Sequence, residues 1–555
     1  MNKLLIAVFA AALAGPPALA QSPSGPIDPA ELSATAKMLA SDPFEGRAPG
    51  TPGEARTIDY LIGRFKALGL EPGGEAGGWT QAVPLVHTQV TPQPRISIGG
   101  AGAPVPLNQG QEVYVSTLHP MDRVTIDQAP LVFVGYGVNA PERSWDDFKG
   151  VDLKGKIAVF LINDPDFEAT PGEPVAGRFG GKAMTYYGRW TYKYEEAARR
   201  GAVGAMIIHE TPGAGYGWST VTAPQGEAYD VTRGPGDPQP ILIQGWLRRD
   251  TAVDLFRRAG LDLEALKIQA RRADFHPVVL AGQSFSADLT VSHKVIQSHN
   301  VLAKIAGAKR PGETVMFGAH WDAYGVGQPD AQGQTIRRGA NDDGLGVAGV
   351  LEIARAFAKA PRPDRTVVFG IWTAEERGLL GSETYAAHPL YPVADTVANL
   401  TMDVLNTAGP SHDVVLAGAG QDSLETDLAH AAAAQGRTVT PDSHPEKGLF
   451  YRADHFSLAK RGVPTLLIMS MAGGPDLITG GRAAGEKWVD DYTANCYHKT
   501  CDAWSADWDL RGAAQDVDLL LEVGRRLANS DAWPRWNAGS EFGPIRERTK
   551  AARGG

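Results

Sequence analysis

The second half of the chain alternates short apolar runs with helical segments, and this alternation constrains the fold more than any other feature. From about Val291 onward, four runs have the length and residue types of buried strands: TVMFG, TVVFGIW, NLTM and TLLIM. After the first run comes a segment whose apolar residues repeat at helical spacing, GLGVAGVLEIARAFAKA. The alternation predicts an α/β domain, with a mixed, mostly parallel central sheet and helices on both faces.

Residue types that bind metals stand at the ends of these apolar runs. In α/β sheets, ligands collect beyond the carboxyl ends of the strands, so an active site is expected there. The candidate set has two histidines and three carboxylates: His320 in FGAHWD, Asp342 in GANDDG, Glu376 in WTAEERG, Asp403 in LTMDVL and His498 in CYHKTC. Histidine and carboxylate ligands favour zinc over calcium or magnesium, and the set predicts two zinc ions.

Each of these positions has an ordinary interpretation when it is taken singly. A histidine at a strand end usually makes a structural hydrogen bond, and two adjacent glutamates usually form a solvated face. The NDDG segment is typical of a turn or a helix cap, and Asp343 within it fits a helix start better than a ligand. The positions therefore predict a metal centre only as a set.

The neighbours of the candidate ligands fit one hydrolytic mechanism. Asp322 stands two residues after His320, on the same side of an extended segment, where a carboxylate orients an imidazole and raises its basicity. Asp342 has a short side chain on a glycine-flanked turn, which suits a carboxylate that bridges two metals roughly 3.5–4 Å apart. Glu376 and Asp403 would then complete the shell of one metal each.

Glu375 is adjacent to a predicted ligand without being needed as one. A carboxylate beside a metal-activated water can take the water's proton and pass it to the leaving amine. Tyr497, beside His498, could donate a hydrogen bond to the oxyanion of the tetrahedral intermediate. We therefore predict Glu375, Asp322 and Tyr497 as the catalytic residues.

The first residues have the composition of a cleaved secretory signal. A short basic start, MNK, is followed by an apolar run to about Ala20 that ends in ALA. The alternative, a membrane anchor, is disfavoured because the run is short and GPP interrupts it. We predict a signal peptide at residues 1–20, export to the periplasm or the medium, and no membrane contact after cleavage.

The chain has two cysteines, Cys496 and Cys501, which flank Tyr497 and His498. Their closeness in sequence and the predicted export indicate one small disulfide loop that would hold those two side chains in place. Two free thiols are the alternative.

The length of the chain and the change in its residue pattern predict several domains. A chain of 555 residues is too long for one ordinary core. Short β-branched runs separated by glycine, proline and aspartate predict a β-rich domain inserted at residues 113–280. Residues 21–112 and 281–540 would form the two parts of the catalytic domain, and residues 541–555 a flexible tail. The net charge of −10, with no basic tract, argues against a nucleic-acid partner.

The motifs of the second half resemble a known family. H-W-D, G-A-N-D-D-G, W-T-A-E-E-x-G-L-L-G-S, M-D and C-Y-H-x-x-C-D are similar to those of the double-zinc exopeptidases related to bacterial leucyl aminopeptidases. That family also contains glutamate carboxypeptidase II, plasma glutamate carboxypeptidase and the transferrin receptor. The resemblance covers about Val301 to Trp504 and implies the zinc exopeptidase fold.

The resemblance also implies a distribution of the ligands. One zinc would take His320 and Glu376, the other would take Asp403 and His498, and Asp342 would bridge them. The middle region resembles a protease-associated domain, a lid-like insertion in relatives. The YRADHFSLAKRGVP segment resembles a stretch that lines the substrate side in the family, which makes Arg452 and His455 candidate substrate contacts.

Four activities compete on this scaffold. The first is an aminopeptidase that removes N-terminal residues from peptides, and the second is a carboxypeptidase or dipeptidase of the glutamate carboxypeptidase type. They differ in the pocket that reads the free end of the peptide: acidic groups for an amine, Arg or Lys for a carboxylate. Arg337 and Arg338 are one candidate for a carboxylate, with a solvated basic loop as the alternative. A glutaminyl-cyclase-like enzyme and a non-catalytic binding protein are the remaining two, and the oligomeric state stays open.

Overall fold

A computed structural model describes residues 26–553 of the chain, except residues 101 and 235. The predicted signal peptide, residues 1–20, lies outside the described residues. In the part that is described, no helix is both long enough and apolar enough to cross a membrane.

The described residues form strands along most of the chain: β1 (Glu71–Pro72), β2 (Thr80–Val90), β3 (Arg95–Gly99), β4 (Val105–Leu107), β5 (Val113–Ser116), β6 (Arg123–Phe133), β7 (Asn139–Ala140), β8 (Trp145–Asp146), β9 (Ile157–Leu161), β10 (Gly204–His209), β11 (Glu227–Val231), β12 (Ile243–Arg248), β13 (Val278–Ile305), β14 (Arg310–His320), β15 (Gly325–Val326), β16 (Ile336–Arg337), β17 (Arg365–Trp372), β18 (Thr396–Met402), β19 (Asp413–Leu416), β20 (Thr438–Pro441) and β21 (Thr465–Ile468).

The longest helices lie at the start of the chain and in its second half, and the described residues form the helices α1 (Pro29–Leu39), α2 (Pro52–Ala67), α3 (Trp190–Arg199), α4 (Thr211–Ala214), α5 (Trp218–Thr222), α6 (Arg249–Arg258), α7 (Leu263–Ala270), α8 (Gly344–Ala358), α9 (Leu380–Ala387), α10 (Leu424–Ala434), α11 (His455–Ala459), α12 (Gly481–Asn495), α13 (Arg511–Ala528) and α14 (Gly543–Lys550).

The central sheet has the strand order β11–β2–β13–β17–β14–β18–β21–β19–β20, with β1 paired to the end of β13. Its middle strands, β17, β14, β18 and β21, are parallel, whereas β13 runs antiparallel to β17. Helices α1, α2, α8 and α13 supply the core on one face, and α9 and α11 pack on the other. The predicted α/β class, with a mixed sheet between two helical layers, is confirmed.

A second sheet has the order β4–β3–β13–β6–β9–β10–β12–β5. The two sheets share β13, whose first part pairs with β3 and β6 and whose last part pairs with β2 and β17. The second sheet has its own apolar core, and its strands β6, β9, β10 and β12 are parallel. The assignment of this region to a protease-associated domain stays a prediction.

The prediction of a flexible tail from residue 541 onward is wrong for the residues that are described there. Phe542 is buried, and α14 follows it. Arg546 is also buried and donates hydrogen bonds to the carbonyls of Val393 and Thr396, at 3.1 and 2.8 Å. The charged composition indicated a solvated segment, but an arginine that caps backbone carbonyls can be buried with its stem among apolar groups.

Candidate metal centre

Three neighbouring parallel strands bring three of the candidate ligands to one edge of the central sheet. β14 ends at His320, Glu376 lies in a short 3₁₀ turn after β17, and Asp403 directly follows β18. Asp342 precedes the first turn of α8, and His498 follows α12. Because β17, β14 and β18 are adjacent and parallel, their carboxyl ends meet at the same place.

The structure brings all five predicted ligands together in two groups. His320 and Asp403 approach each other closely, together with Asp343, and Asp342, Glu376 and His498 form the second group. His498 Nε2 lies 3.1 Å from a carboxylate oxygen of Glu376. The predicted distribution of the ligands is therefore wrong, because His320 lies with Asp403 and Glu376 lies with His498.

Asp342 connects the two groups. Its Oδ1 lies 3.2 Å from His320 Nε2, and its Oδ2 lies 3.3 Å from His498 Nε2. The Oδ2 atom is buried and has no hydrogen-bond partner of ordinary geometry among the described residues. A carboxylate with one oxygen directed to each histidine fits a bridge between two cations, and the orphaned oxygen fits a missing positive partner.

Asp343 has a different role from its neighbour. Its Oδ1 accepts a hydrogen bond from the Gly346 amide and its Oδ2 accepts one from the His320 amide, at 3.0 and 3.1 Å. It is the N-cap of α8, so the prediction of a helix-start residue is confirmed. The same side chain fixes the backbone of a candidate ligand.

The site carries more negative charge than its protein partners compensate. Burial raises the pKa of Glu376 well above its usual range and that of Asp403 to about 8, and Asp342 adds to both shifts. Burial opposes a charged His320, but Glu375, Asp322 and Asp342 outweigh it and hold the histidine pKa well above its usual range. Buried carboxylates in such excess favour cation binding, and histidine with carboxylate is a donor set that suits zinc.

The predicted catalytic carboxylates lie beside this centre. A carboxylate oxygen of Glu375 is 3.8 Å from His320 Nε2, and burial raises the pKa of Glu375 well above its usual range. Asp322 accepts a hydrogen bond from the Glu375 amide at 3.0 Å. His320 Nδ1 lies 3.1 Å from the backbone carbonyl of Asp322 and 3.6 Å from its carboxylate, so the carbonyl is the closer partner of the ring.

The loop that carries Tyr497 and His498 is closed by a disulfide bond between Cys496 and Cys501. The Tyr497 ring lies against the His498 ring, with 3.6 Å between the centroids. Burial raises the pKa of Tyr497 well above its usual range, so its hydroxyl keeps the proton that a hydrogen-bond donor needs.

The part of the chain that carries these residues is similar to known proteins. Residues 300–521 match the sequence profile of Peptidase family M28. This part of the chain belongs to peptidase family M28. The predicted resemblance is therefore confirmed at the level of the family, and we call residues 300–521 the M28 segment.

Two curated relatives each match less than half of this chain. Leupeptin-inactivating enzyme 1 of Streptomyces exfoliatus is 28% identical over 210 residues, which are 37% of this chain and 43% of that protein. Carboxypeptidase Q of Xenopus laevis is 28% identical over 236 residues, which are 42% of this chain and 39% of that protein. The matches thus span less than half the length of either relative.

A solved structure, the aminopeptidase from Aneurinibacillus sp. strain AM-1, is similar over more of the chain. The alignment covers 91% of this chain and 95% of that one, with 21% identity and a TM-score of 0.48.

Two residues that support the M28 segment were not predicted. Arg47, in the loop between α1 and α2, is fully buried and donates hydrogen bonds to the carbonyls of Trp321, Arg338 and Gly339. It therefore holds together the two loops that carry His320 and Asp342. The glycine- and proline-rich sequence around Arg47 indicated only a loop, because its partners are distant in the chain.

Asp502 is the second such residue. Its two carboxylate oxygens accept hydrogen bonds from the amides of Asn341 and Asp342, at 3.0 and 3.1 Å. Its position directly after Cys501, as the last letter of the C-Y-H-x-x-C-D motif, was the signal that could have identified it.

The candidate substrate contacts have different surroundings. His455 is fully buried against Phe450, and burial lowers its pKa to about 3, so it is a core residue. Arg338 donates a hydrogen bond to Asp42 at 2.6 Å. Arg452 lies within electrostatic reach of Tyr497 and Glu375, at the edge of the metal centre.

Proposed function

We propose that this chain is a two-zinc exopeptidase, and specifically an aminopeptidase that removes N-terminal residues from peptides. The observation that carries the two-zinc assignment is Asp342, whose two oxygens each approach one histidine while Glu376 and Asp403 complete the two groups. One zinc would take His320 and Asp403, the other Glu376 and His498, with Asp342 between them.

The side chains around the ligands have distinct tasks in peptide hydrolysis. Zinc in such a site acidifies water and polarises the scissile carbonyl. Glu375 accepts the proton of the attacking water at its carboxylate and delivers it to the leaving amine. The Tyr497 hydroxyl donates a hydrogen bond to the oxyanion of the tetrahedral intermediate. Asp322 holds both His320 and the Glu375 backbone in position.

Export is part of the same proposal. The composition of residues 1–20 supports a cleaved signal, and the Cys496–Cys501 disulfide is a feature of oxidising compartments. N-terminal sequencing of the protein recovered from the periplasm or the medium should begin after about residue 20. Recovery of the uncleaved chain in the cytoplasm would contradict export.

The activity is tested by mass spectrometry of a mixed peptide pool after incubation with the purified, zinc-loaded protein. Peptide ladders shortened from the N-terminus are expected. Shortening from the C-terminus would move the assignment to a carboxypeptidase, and no cleavage at all would contradict an exopeptidase.

The role of Glu375 is tested in the same assay with Glu375→Gln. We expect kcat to fall by about 10²–10⁴-fold with no change in zinc content, because the variant loses proton transfer but no ligand. Glu522→Gln, at an exposed position of α13, is the matched control and should keep full activity. A fully active Glu375→Gln protein would remove Glu375 from the mechanism.

A further inference from the structure

The edge strand β11 connects the second sheet to the central sheet. It lies in the chain between β10 and β12, which are neighbours in the second sheet, yet β11 itself pairs with β2 at the edge of the central sheet. Tyr229, in the middle of β11, stands opposite His87 of β2 in the pairing register. The stretch between β10 and β12 therefore leaves one sheet, adds a strand to the other and returns.

Arg377 contacts this strand beside the metal centre. Its guanidinium carbon lies 4.8 Å from the centroid of the Tyr229 ring and also 4.8 Å from the centroid of the Tyr324 ring. Its Nη1 is 3.9 Å from a carboxylate oxygen of Glu227, and its Nε is buried without a hydrogen-bond partner among the described residues. Because only 16% of the side chain is exposed, the two ring contacts are stronger than they would be on an open surface.

The surroundings of β11 hold the Tyr229 ring in a defined position. The Tyr229 hydroxyl donates a hydrogen bond to Glu227 at 3.1 Å, and His87 Nε2 lies 2.9 Å from the same carboxylate oxygen. The rings of His87 and Tyr229 also lie together, with 4.7 Å between the centroids. The hydrogen bond from His87 and the charge of Arg377 hold the pKa of Glu227 below its usual range, so this carboxylate stays charged at neutral pH.

Arg377 is also joined to both ligands that one zinc site does not share with the other. It is the last residue of the 3₁₀ turn that begins at Glu375 and contains the ligand Glu376. The hydroxyl of Tyr324, whose ring the guanidinium contacts, lies 3.2 Å from His498 Nδ1. A histidine that binds zinc through Nε2 carries its proton on Nδ1, so His498 donates this hydrogen to the Tyr324 oxygen when the site is filled.

The second zinc site is supported from another part of the molecule. The His320 amide is held by the Asp343 carboxylate, and the Trp321 carbonyl that follows it accepts a hydrogen bond from Arg47. Neither support involves β11. A change at Arg377 should therefore affect one zinc site and leave the other as it is.

We propose that Arg377 is a positioning residue for the zinc site of Glu376 and His498, and that β11 acts on this site through the Tyr229 ring. The inference rests on the proposed two-zinc function and adds a residue and a strand on which one of the two sites depends. Zinc binds more tightly to ligands whose supporting groups already hold them in place, and loss of such a group typically costs about 10–100-fold in metal affinity.

Zinc titration in competition with a chelator measures the affinity of each ion in the wild type and in Arg377→Met. We expect one ion to bind about tenfold more weakly in the variant and the other to keep its affinity within about twofold. Arg377→Met combined with Tyr324→Phe should weaken that same ion and leave the other unchanged. Arg257→Met, at a 73% exposed position of α6, is the matched control and should keep both affinities.

Two substitutions of Tyr229 test the role of β11. Tyr229→Leu removes the ring from Arg377 and should weaken the same ion by about threefold to tenfold, whereas Tyr229→Phe keeps the ring and should bind both ions normally. Tyr229→Leu combined with Arg377→Met should bind zinc no more weakly than Arg377→Met alone, because the two residues act as one unit. Melting temperatures establish that each variant is folded. Wild-type affinities in Tyr229→Leu would overturn the role of β11.

Kinetics separate a positioning residue from one that contacts the substrate. At limiting zinc, Arg377→Met should have a lower kcat and an unchanged KM, and excess zinc should restore kcat. A raised KM that excess zinc does not correct would identify a substrate contact and overturn the positioning role.

The zinc titration also distinguishes this inference from the proposed function. A wild-type protein that binds no zinc, or a single ion, would overturn both. Two ions held as tightly by Arg377→Met and Tyr229→Leu as by the wild type would overturn the inference alone. Because the affinities are measured without a substrate, the result does not depend on which peptides are cleaved.

Discussion

Acidic residues at the strand ends have opposite surroundings in the two sheets of this protein. In the second sheet, Asp164 follows β9 and accepts hydrogen bonds from the amide and hydroxyl of Thr185, at 2.6 and 2.7 Å. Lys193 of α3 is buried nearby, donates to the carbonyls of Tyr136 and Asn163, and balances Asp164 electrostatically. The acid at this strand end is therefore satisfied by the protein itself.

In the central sheet the acids at the strand ends have no such compensation. Among the described residues, no lysine or arginine forms an ion pair with Asp342, Glu375, Glu376 or Asp403, and the side chains that pair with the first three of these acids are His320 and His498. Both sheets have parallel strands and acids at the carboxyl ends, so topology alone does not create a metal centre. What distinguishes the central sheet is an excess of buried carboxylates arranged around two imidazoles.

The largest effect is expected from Asp342→Asn, which removes the connection between the two ligand groups. We expect zinc content to fall and activity to drop by more than the 10–100-fold typical of losing a residue that only supports a ligand. Metal analysis and kcat/KM measure the two effects. Asp490→Asn, at an exposed position of α12, is the control. Full zinc content in Asp342→Asn would show that zinc binding at the central sheet does not require this carboxylate.

Lys193→Met tests the compensated acid of the second sheet, Asp164. It leaves two buried carbonyls and the Asp164 carboxylate without their cation, so the free energy of unfolding should fall by about 3 kcal/mol. Chemical denaturation measures the loss, and Lys149→Met, at an exposed position near the same sheet, serves as the reference. Because Lys193 lies outside the metal centre, zinc content should not change, and a loss of zinc would mean that the two clusters are coupled.

Removing the disulfide tests how far the loop around His498 contributes to the rigidity of the central site. For Cys496→Ser with Cys501→Ser we expect a loss of about 2 kcal/mol in the free energy of unfolding, because the bond closes a short loop. Denaturation of the wild type under reducing conditions should show the same loss. An unchanged stability in both experiments would mean that the packing of Tyr497 on His498 holds the loop without the bond.

The smallest effect is expected from Tyr324→Phe. The Tyr324 hydroxyl lies 3.2 Å from His498 Nδ1, so it orients the imidazole whose other nitrogen faces Asp342 and Glu376. Loss of such a partner should weaken zinc binding by about tenfold, which competition with a chelator measures. Tyr229→Phe, whose ring also contacts Arg377 but not His498, is the control. Equal zinc affinity in the two variants would leave Tyr324 without a positioning role.

The elements that depend on a local pattern of apolar residues could be predicted from the sequence alone. The apolar runs and the helix α8 predicted the layers of the central sheet, and the strand ends predicted the positions of His320 and Asp403. The grouping of the ligands could not be predicted, because it depends on strand order: β14 lies between β17 and β18, and the turn after β17 carries Glu376 towards His498.

The central claim is that the acids beside His320 and His498 are uncompensated because they bind two zinc ions. Calorimetric titration of zinc into the chelator-treated protein tests this claim most directly. We predict two bound ions per chain in the wild type and a reduced number in Asp342→Asn. A wild-type protein that binds no zinc, or a single ion that Asp342→Asn retains, would contradict it.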